Sequence, residues 1–144
     1  TILEIRSNFE GPAAIFSELA NKFEKRGYGT LVGFSSVAGE RGRSTNYIYG
    51  SAKAGFTEFL SGLRSRLESK GVHVMTVLPG YVSTKMTKML KLPTFLTAKP
   101  DEIAISLLKA LKKKKNIIYY LPIWRIIILF IKMIPEAIFK KLKF

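Results

Sequence analysis

Two short apolar runs, TLVGFS at 30–35 and VHVMTVLP at 72–79, are separated by a segment of helical periodicity at 47–70. Short apolar strands joined by a long helical crossover cannot pair as a hairpin. They pair in parallel, with helices covering the sheet. A third apolar run, NIIYYLP at 116–122, follows another helical segment running from Pro100 to Leu111. The order helix, strand, helix, strand, helix, strand, tail predicts an α/β fold with right-handed crossovers. Helix limits are punctuated. Residues 4–26 carry Phe9, Ala13, Phe16, Leu19, Ala20 and Phe23 at helical spacing and stop at Gly27. Residues 47–70 carry Phe56, Phe59, Leu60, Leu63 and Leu67 and stop at Gly71. Pro100, Asp101 and Glu102 open the next helix and lysines close it, as the helix dipole favours.

Composition removes several chemistries. Cysteine is absent from the 144 residues and His73 is the lone histidine, so no thiolate site exists and no metal centre is expected. The net charge of +14 implies an anionic partner. The lysines gather in KALKKKK at 109–115 and KKLKF at 140–144, around an apolar stretch, which favours a membrane surface over nucleic acid. Gly27, Gly29 and Gly33 spell a glycine-rich pattern. It follows a helix and opens a strand, the reverse of a phosphate-binding turn, and reads as a helix end. The start of the chain shows no signal peptide and no initiator methionine, so a fragment or a processed product is expected.

The chemistry-bearing stretch is SVAGERGRSTNYIYGSAK. Tyr49 and Lys53 are four apart and share a helix face. An ammonium beside a phenol favours the phenolate, and a tyrosine so placed can give or take a proton near neutral pH. Ser36, thirteen residues before Tyr49 at the end of a strand, is placed to hold a carbonyl oxygen. Tyr47 has Ser51 four residues on and is not a candidate. Arg41 and Arg43 read as solvated loop charges. In the first helix, Pro12 has no N–H for the carbonyl of Asn8, so the helix should kink there and leave that carbonyl for a water. After the second strand comes PGYVST at 79–84, then 85–98, rich in Met, Leu and Lys and broken by Pro93, which reads as a lid or a short docked helix.

The strand TLVGFSS, the helix start YGSAKAGF and the turn LPGYVST together resemble the short-chain dehydrogenase/reductase family. That resemblance implies an oxidoreductase using NAD or NADP, with a catalytic tetrad of Asn8, Ser36, Tyr49 and Lys53. It further implies that Tyr49, Lys53, Pro79, Gly80, Val82 and Thr84 meet the cofactor. It implies a Rossmann-like parallel sheet, here incomplete because the glycine-rich, cofactor-binding N-terminal half is not among these residues. Residues 1–122 would be the catalytic portion of that domain and 123–144 a basic amphipathic tail. The 144 residues alone would be inactive, with an open edge on the first strand. Family members assemble through helices matching 4–26 and 47–70, which implies a homo-oligomer. Within the family the chain looks closest to the branch that reduces a polyprenyl-phosphate-linked keto-sugar, the decaprenylphosphoryl-2-keto-pentose reductases. The substrate would then be a small-molecule or lipid-linked carbonyl compound, and the location cytoplasmic, peripheral on the inner membrane face. The other reading is a truncated, silent dimerisation or membrane-binding module derived from the family.

The tail keeps two readings open. Its apolar run Ile126–Ile131 is far short of the ~20 residues that span a bilayer. Arg125 and Lys132 share a helix face, and Trp124, Phe130, Phe139 and Phe144 supply aromatics. Such a helix lies on an anionic membrane, or packs on the core or on a second subunit.

Overall fold

The computed structural model describes residues 1–82 and 96–142. Strands β1 (Gly29–Phe34), β2 (Val72–Pro79) and β5 (Ile117–Tyr120) form a parallel sheet in the order β1-β2-β5. Gly29 pairs with Val72, and Thr76 with Ile117. Two short parallel strands, β3 (Tyr81–Val82) and β4 (Thr97–Ala98), form a second small sheet. The helices are α1 (Ile2–Ile5), a π-helical turn (Arg6–Glu10), α2 (Gly11–Arg26), α3 (Tyr47–Leu67), α4 (Pro100–Lys112), α5 (Ile123–Met133) and α6 (Glu136–Phe139). This is the expected α/β Rossmann-like arrangement, as part of a sheet. Among the described residues, no strand pairs with the outer edge of β1.

β2 is buried on both faces, which is why it reads as a continuous apolar run rather than an alternating one. On one face Leu31, Val72 and Val74 meet Phe56, Leu60, Leu63 and Leu67 of α3 and Ala20 of α2. On the other, Met75, Val77 and Ile118 meet Ala110 of α4. The stripe on α2 does what its spacing predicts, with Phe16 edge-on to Phe56 at 5.5 Å. Arg64 fastens the end of α3 to the sheet. Its Nε donates to the Val74 carbonyl at 2.9 Å and its Nη2 to Thr76 Oγ1 at 2.7 Å. Gly27, at φ 81°, caps α2 by donating its N–H to the Phe23 carbonyl, so the glycine pattern there is a helix end. His73 lies half-buried in β2, and among the described residues no group of three His, Cys, Asp or Glu side chains could hold a metal.

The tail is folded onto this core. Trp124 and Ile128 pack with Val37 and Leu78, and Phe139 is buried. The opposite side of α5 exposes Ile123, Ile126, Phe130 and Met133. No helix among the described residues is long and apolar enough to cross a membrane.

Candidate active site

The end of β1 is bolted to the middle of α3. Buried Ser35 donates its hydroxyl to the Lys53 carbonyl at 2.8 Å, and its Oγ lies 2.6 Å from Thr57 Oγ1. The chain stays extended through Ser36 and enters a 3₁₀ turn, Val37–Gly39, in which Ser36 Oγ accepts the Ala38 N–H at 3.1 Å. That bond fixes the serine side chain at the carboxyl end of the strand. The turn then lies flat on α3. A Cβ at Gly39 would stand 2.6 Å from the Ala54 nitrogen and 2.8 Å from the Lys53 carbonyl carbon, so only glycine permits the approach.

Tyr49 and Lys53 occupy successive turns on one face of α3. Lys53 Nζ lies 5.8 Å from the Tyr49 ring centroid and donates to the Phe34 carbonyl at 3.0 Å. Burial lowers the Lys53 pKa from its ordinary value. The lysine thus links the tyrosine's helix to the carboxyl end of β1. Ligands of doubly wound sheets bind at that end of the strands.

Asn8 lies in the π-helical turn. Pro12 cannot donate to its carbonyl, and the helix widens there into a π-helical turn, with the Gly11 N–H reaching the Arg6 carbonyl. The Asn8 side chain turns back on its own helix, donating to the Glu4 carbonyl at 3.1 Å and Ser7 Oγ at 3.2 Å. What Asn8 has to offer elsewhere is therefore its main chain. The same turn lies against α3, with the Phe9 ring facing Gly55.

At the second strand, Pro79 closes β2 opposite Tyr120. A side chain at Gly80 would collide with the Trp124 indole, at 2.0 Å from Nε1. On that side of the glycine the space is filled by the Trp124 indole of α5. Tyr81 stands edge-on to Trp124 at 5.4 Å, and the indole N–H donates to the Leu96 carbonyl at 3.3 Å. Val82 is half-buried in β3. Thr84 and residues 85–95 of the segment read as a lid lie outside the described residues.

Arg41 is not the solvated loop charge expected from its surroundings in the chain. It donates to the Ile131 carbonyl, pairs with Glu136 at 3.0 Å and stacks on the Phe139 ring at 3.8 Å. Beside it Lys132 pairs with Glu40. The loop after Ser36 is therefore strapped to the tail, a contact across some ninety residues that no local pattern announces. Asn46, just ahead of α3, is a further polar residue at the site that no spacing in the sequence singles out. Its side-chain oxygen is buried without a partner among the described residues, three positions before Tyr49.

The model of the short chain dehydrogenase family matches residues 3–93, which takes in the tetrad positions. An uncharacterized oxidoreductase of Mycobacterium tuberculosis is 32% identical over 138 residues, 96% of this chain and 55% of that protein. The acetoacetyl-CoA reductase of Allochromatium vinosum is 39% identical over 93 residues, 58% of this chain and 38% of that protein. A short chain dehydrogenase from Burkholderia cenocepacia, solved in complex with NADP, superposes with a TM-score of 0.81 at 18% identity, over 95% of this chain and 56% of that one. The chain thus spans little more than half the length of its first relatives. On the family match and the shared fold together, this chain belongs to the short-chain dehydrogenase family.

Proposed function

We propose that the protein is an NAD(P)-dependent oxidoreductase that interconverts a carbonyl and an alcohol, with Tyr49 as general acid in reduction. The observation that carries this reading is the placing of the Lys53 ammonium beside Tyr49 and against the Phe34 carbonyl at the carboxyl end of β1. Family membership supports it, as do oxidoreductase and reductase relatives and neighbours solved with NADP or NADPH.

The residues present fit a nicotinamide nucleotide. Lys53 and the Tyr49 hydroxyl would meet its ribose, and Pro79, Gly80, Val82 and Thr84 its carboxamide end. When bound, that group supplies or accepts hydride. The chain's own residues handle the oxygen and the proton. Ser36, fixed by the Ala38 N–H, directs its hydroxyl to the substrate oxygen. Tyr49 gives that oxygen its proton, and the Lys53 charge offsets the negative charge left on the phenol. The Asn8 main chain would hold a water that returns the proton from solvent.

Replacing Tyr49 with Phe in the full enzyme removes only the hydroxyl. We expect loss of about 10²–10⁴-fold in kcat, the range of general acid catalysis, with the circular dichroism spectrum unchanged. A Tyr49→Phe enzyme with near-normal kcat sinks the mechanism.

Finer parts of this reading rest on surfaces. Residues 1–122 form the catalytic portion. In the tail, Ile123, Ile126, Phe130 and Met133 project from one side of α5, the helix that also carries Arg125, and support peripheral contact with an anionic membrane. A lipid-linked carbonyl compound such as a polyprenyl-phosphate keto-sugar is the matching substrate class. Equal turnover of this and soluble ketones would argue against it. The exposed Ile2, Leu3, Ile5 and Ile15 along the first helix support assembly into a homo-oligomer, which sedimentation would test.

A further inference from the structure

Away from the tetrad, a cleft of about 350 Å³ opens between the end of α4, the strand β5 and the start of α5. Lys109, Lys113, Lys115 and Arg125 line it, with Ser106 and Tyr119, and no acidic residue does. None of the four cations has an ion-pair partner among the described residues, whereas Arg41 and Lys132 nearby in the fold do.

The cleft is built by local structure. Helix α4 ends in a reverse turn in which the Lys114 N–H reaches the Leu111 carbonyl and the Lys115 N–H the Ala110 carbonyl. Lys114 takes the left-handed conformation, φ 47°, and lies outside the lining, while Lys113 and Lys115 on either side of it border the cleft. Lysines at a helix end have an ordinary purpose, which is to offset the dipole. That end carries only about half a negative charge. Four cations exceed it several times over: Lys109 comes from the last turn of α4, Lys113 and Lys115 from the reverse turn after it, and Arg125 from α5. The Tyr119 phenol, protonated at neutral pH as phenols are, has a proton to donate; burial first and then Glu40 raise its pKa, against the opposing charges of Lys132 and Arg125.

We propose that this cleft binds a phosphate group of two or more negative charges, held by Lys109, Lys113, Lys115 and Arg125 with the Ser106 and Tyr119 hydroxyls as additional donors. Leu129, four residues beyond Arg125 on α5, is exposed on the same side, so an apolar chain attached to the phosphate has a surface to follow. A lipid phosphate and a free phosphate share the chemistry, and the test separates them. The site is independent of the catalytic reading above.

The full chain is titrated with inorganic pyrophosphate by calorimetry at low salt, and mixed with vesicles of phosphatidylcholine with and without phosphatidic acid. A triple variant, Lys109→Ala, Lys113→Ala and Lys115→Ala, is compared with a control triple of equal charge, Lys22→Ala, Lys25→Ala and Lys70→Ala. An exposed cation is worth up to about fivefold in affinity, so the cleft triple should lose roughly 30- to 100-fold, the control less than about threefold. A Lys→Arg version of the cleft triple should restore binding and guards against a folding artefact. Loss of pyrophosphate binding alone marks a site for soluble phosphates. Loss of vesicle binding, with or without it, marks one that accepts lipid phosphate. Equal losses in the two triples, or no binding of either anion by the unaltered chain, overturn the proposal.

Discussion

Gly39→Ala adds one methyl group at the point where the loop after Ser36 touches the tyrosine's helix. The built Cβ stands 2.6 Å from the Ala54 nitrogen and 2.8 Å from the Lys53 carbonyl carbon. Comfortable separation is ~3.5 Å, so loop and helix must part by about 0.9 Å. The obstructing atoms are main chain and cannot rotate aside. Overpacking of this kind costs about 1–3 kcal/mol in stability. The functional effect is larger in proportion. The displacement moves Ser36 relative to Tyr49 and Lys53, and a misplacement of about 1 Å costs about 10²-fold in rate. The assay is kcat/KM of the full enzyme on a carbonyl substrate, with the urea midpoint measured alongside. Gly42→Ala is the control, because a Cβ there meets nothing within 4 Å. Should Gly39→Ala retain activity within threefold and stability within about 0.5 kcal/mol of the parent, the close contact does not fix the site.

Arg41→Ala removes a charged bond to the Ile131 carbonyl, a cation–π contact and a pair with a largely exposed Glu136. Together these suggest a loss of about 2–3 kcal/mol, mostly from the first; a double-mutant cycle with Phe139→Ala should show coupling of about 0.5–1 kcal/mol, and additivity would refute the stacking. Lys114→Gly relieves a left-handed residue at the end of α4 and should raise Tm by about 2–4 °C, an unchanged Tm counting against strain there. Burial first, then the Glu102 charge and hydrogen bond, hold the Tyr120 pKa above its usual 10.0. Above that pH the unfolded chain releases a proton that the folded chain keeps, so stability falls as pH rises. Lys53, with its lowered pKa, acts in the opposite sense up to 10.5. Urea midpoints between pH 8 and 11 should therefore fall less steeply in Tyr120→Phe than in the parent, and parallel slopes would contradict this.

Strands and helices were legible where one periodicity ran without competition. The run predicted at 30–35 is β1 at Gly29–Phe34, and that at 72–79 is β2. Lys53 beside Tyr49 followed from helical spacing alone. Pro12 told that a carbonyl loses its donor, but a proline does not announce the π-helical turn that the backbone takes over Arg6–Glu10. At Gly80, a glycine after a strand shows only that room exists beside the backbone. The occupant, Trp124, lies 44 residues further on. The tail was ambiguous for a related reason. An amphipathic helix declares an apolar face but not whether protein or lipid covers it, and α5 turns Trp124 and Ile128 to the core while leaving Ile126 and Phe130 outside. Arg41 was illegible because its partners are 90 or more residues away.

That last separation sets an order of events during synthesis. The contacts that join Ser35 to Lys53 and Thr57 close within 22 residues and can form as soon as α3 is made. The strap from Arg41 to Glu136 spans 95 residues, and at about 5–20 residues per second the loop must wait roughly 5–20 s for its anchor. Closing so long a loop costs about 4 kcal/mol of chain entropy, against about 2.6 kcal/mol for the 18 residues between Ser35 and Lys53. The Arg41 contacts alone fall short of that, so the strap can engage only after Trp124 and Ile128 have brought α5 down on the sheet. Among the described contacts, the strap between the loop after Ser36 and the tail is consequently a late one to become native, and an early one to open when stability falls.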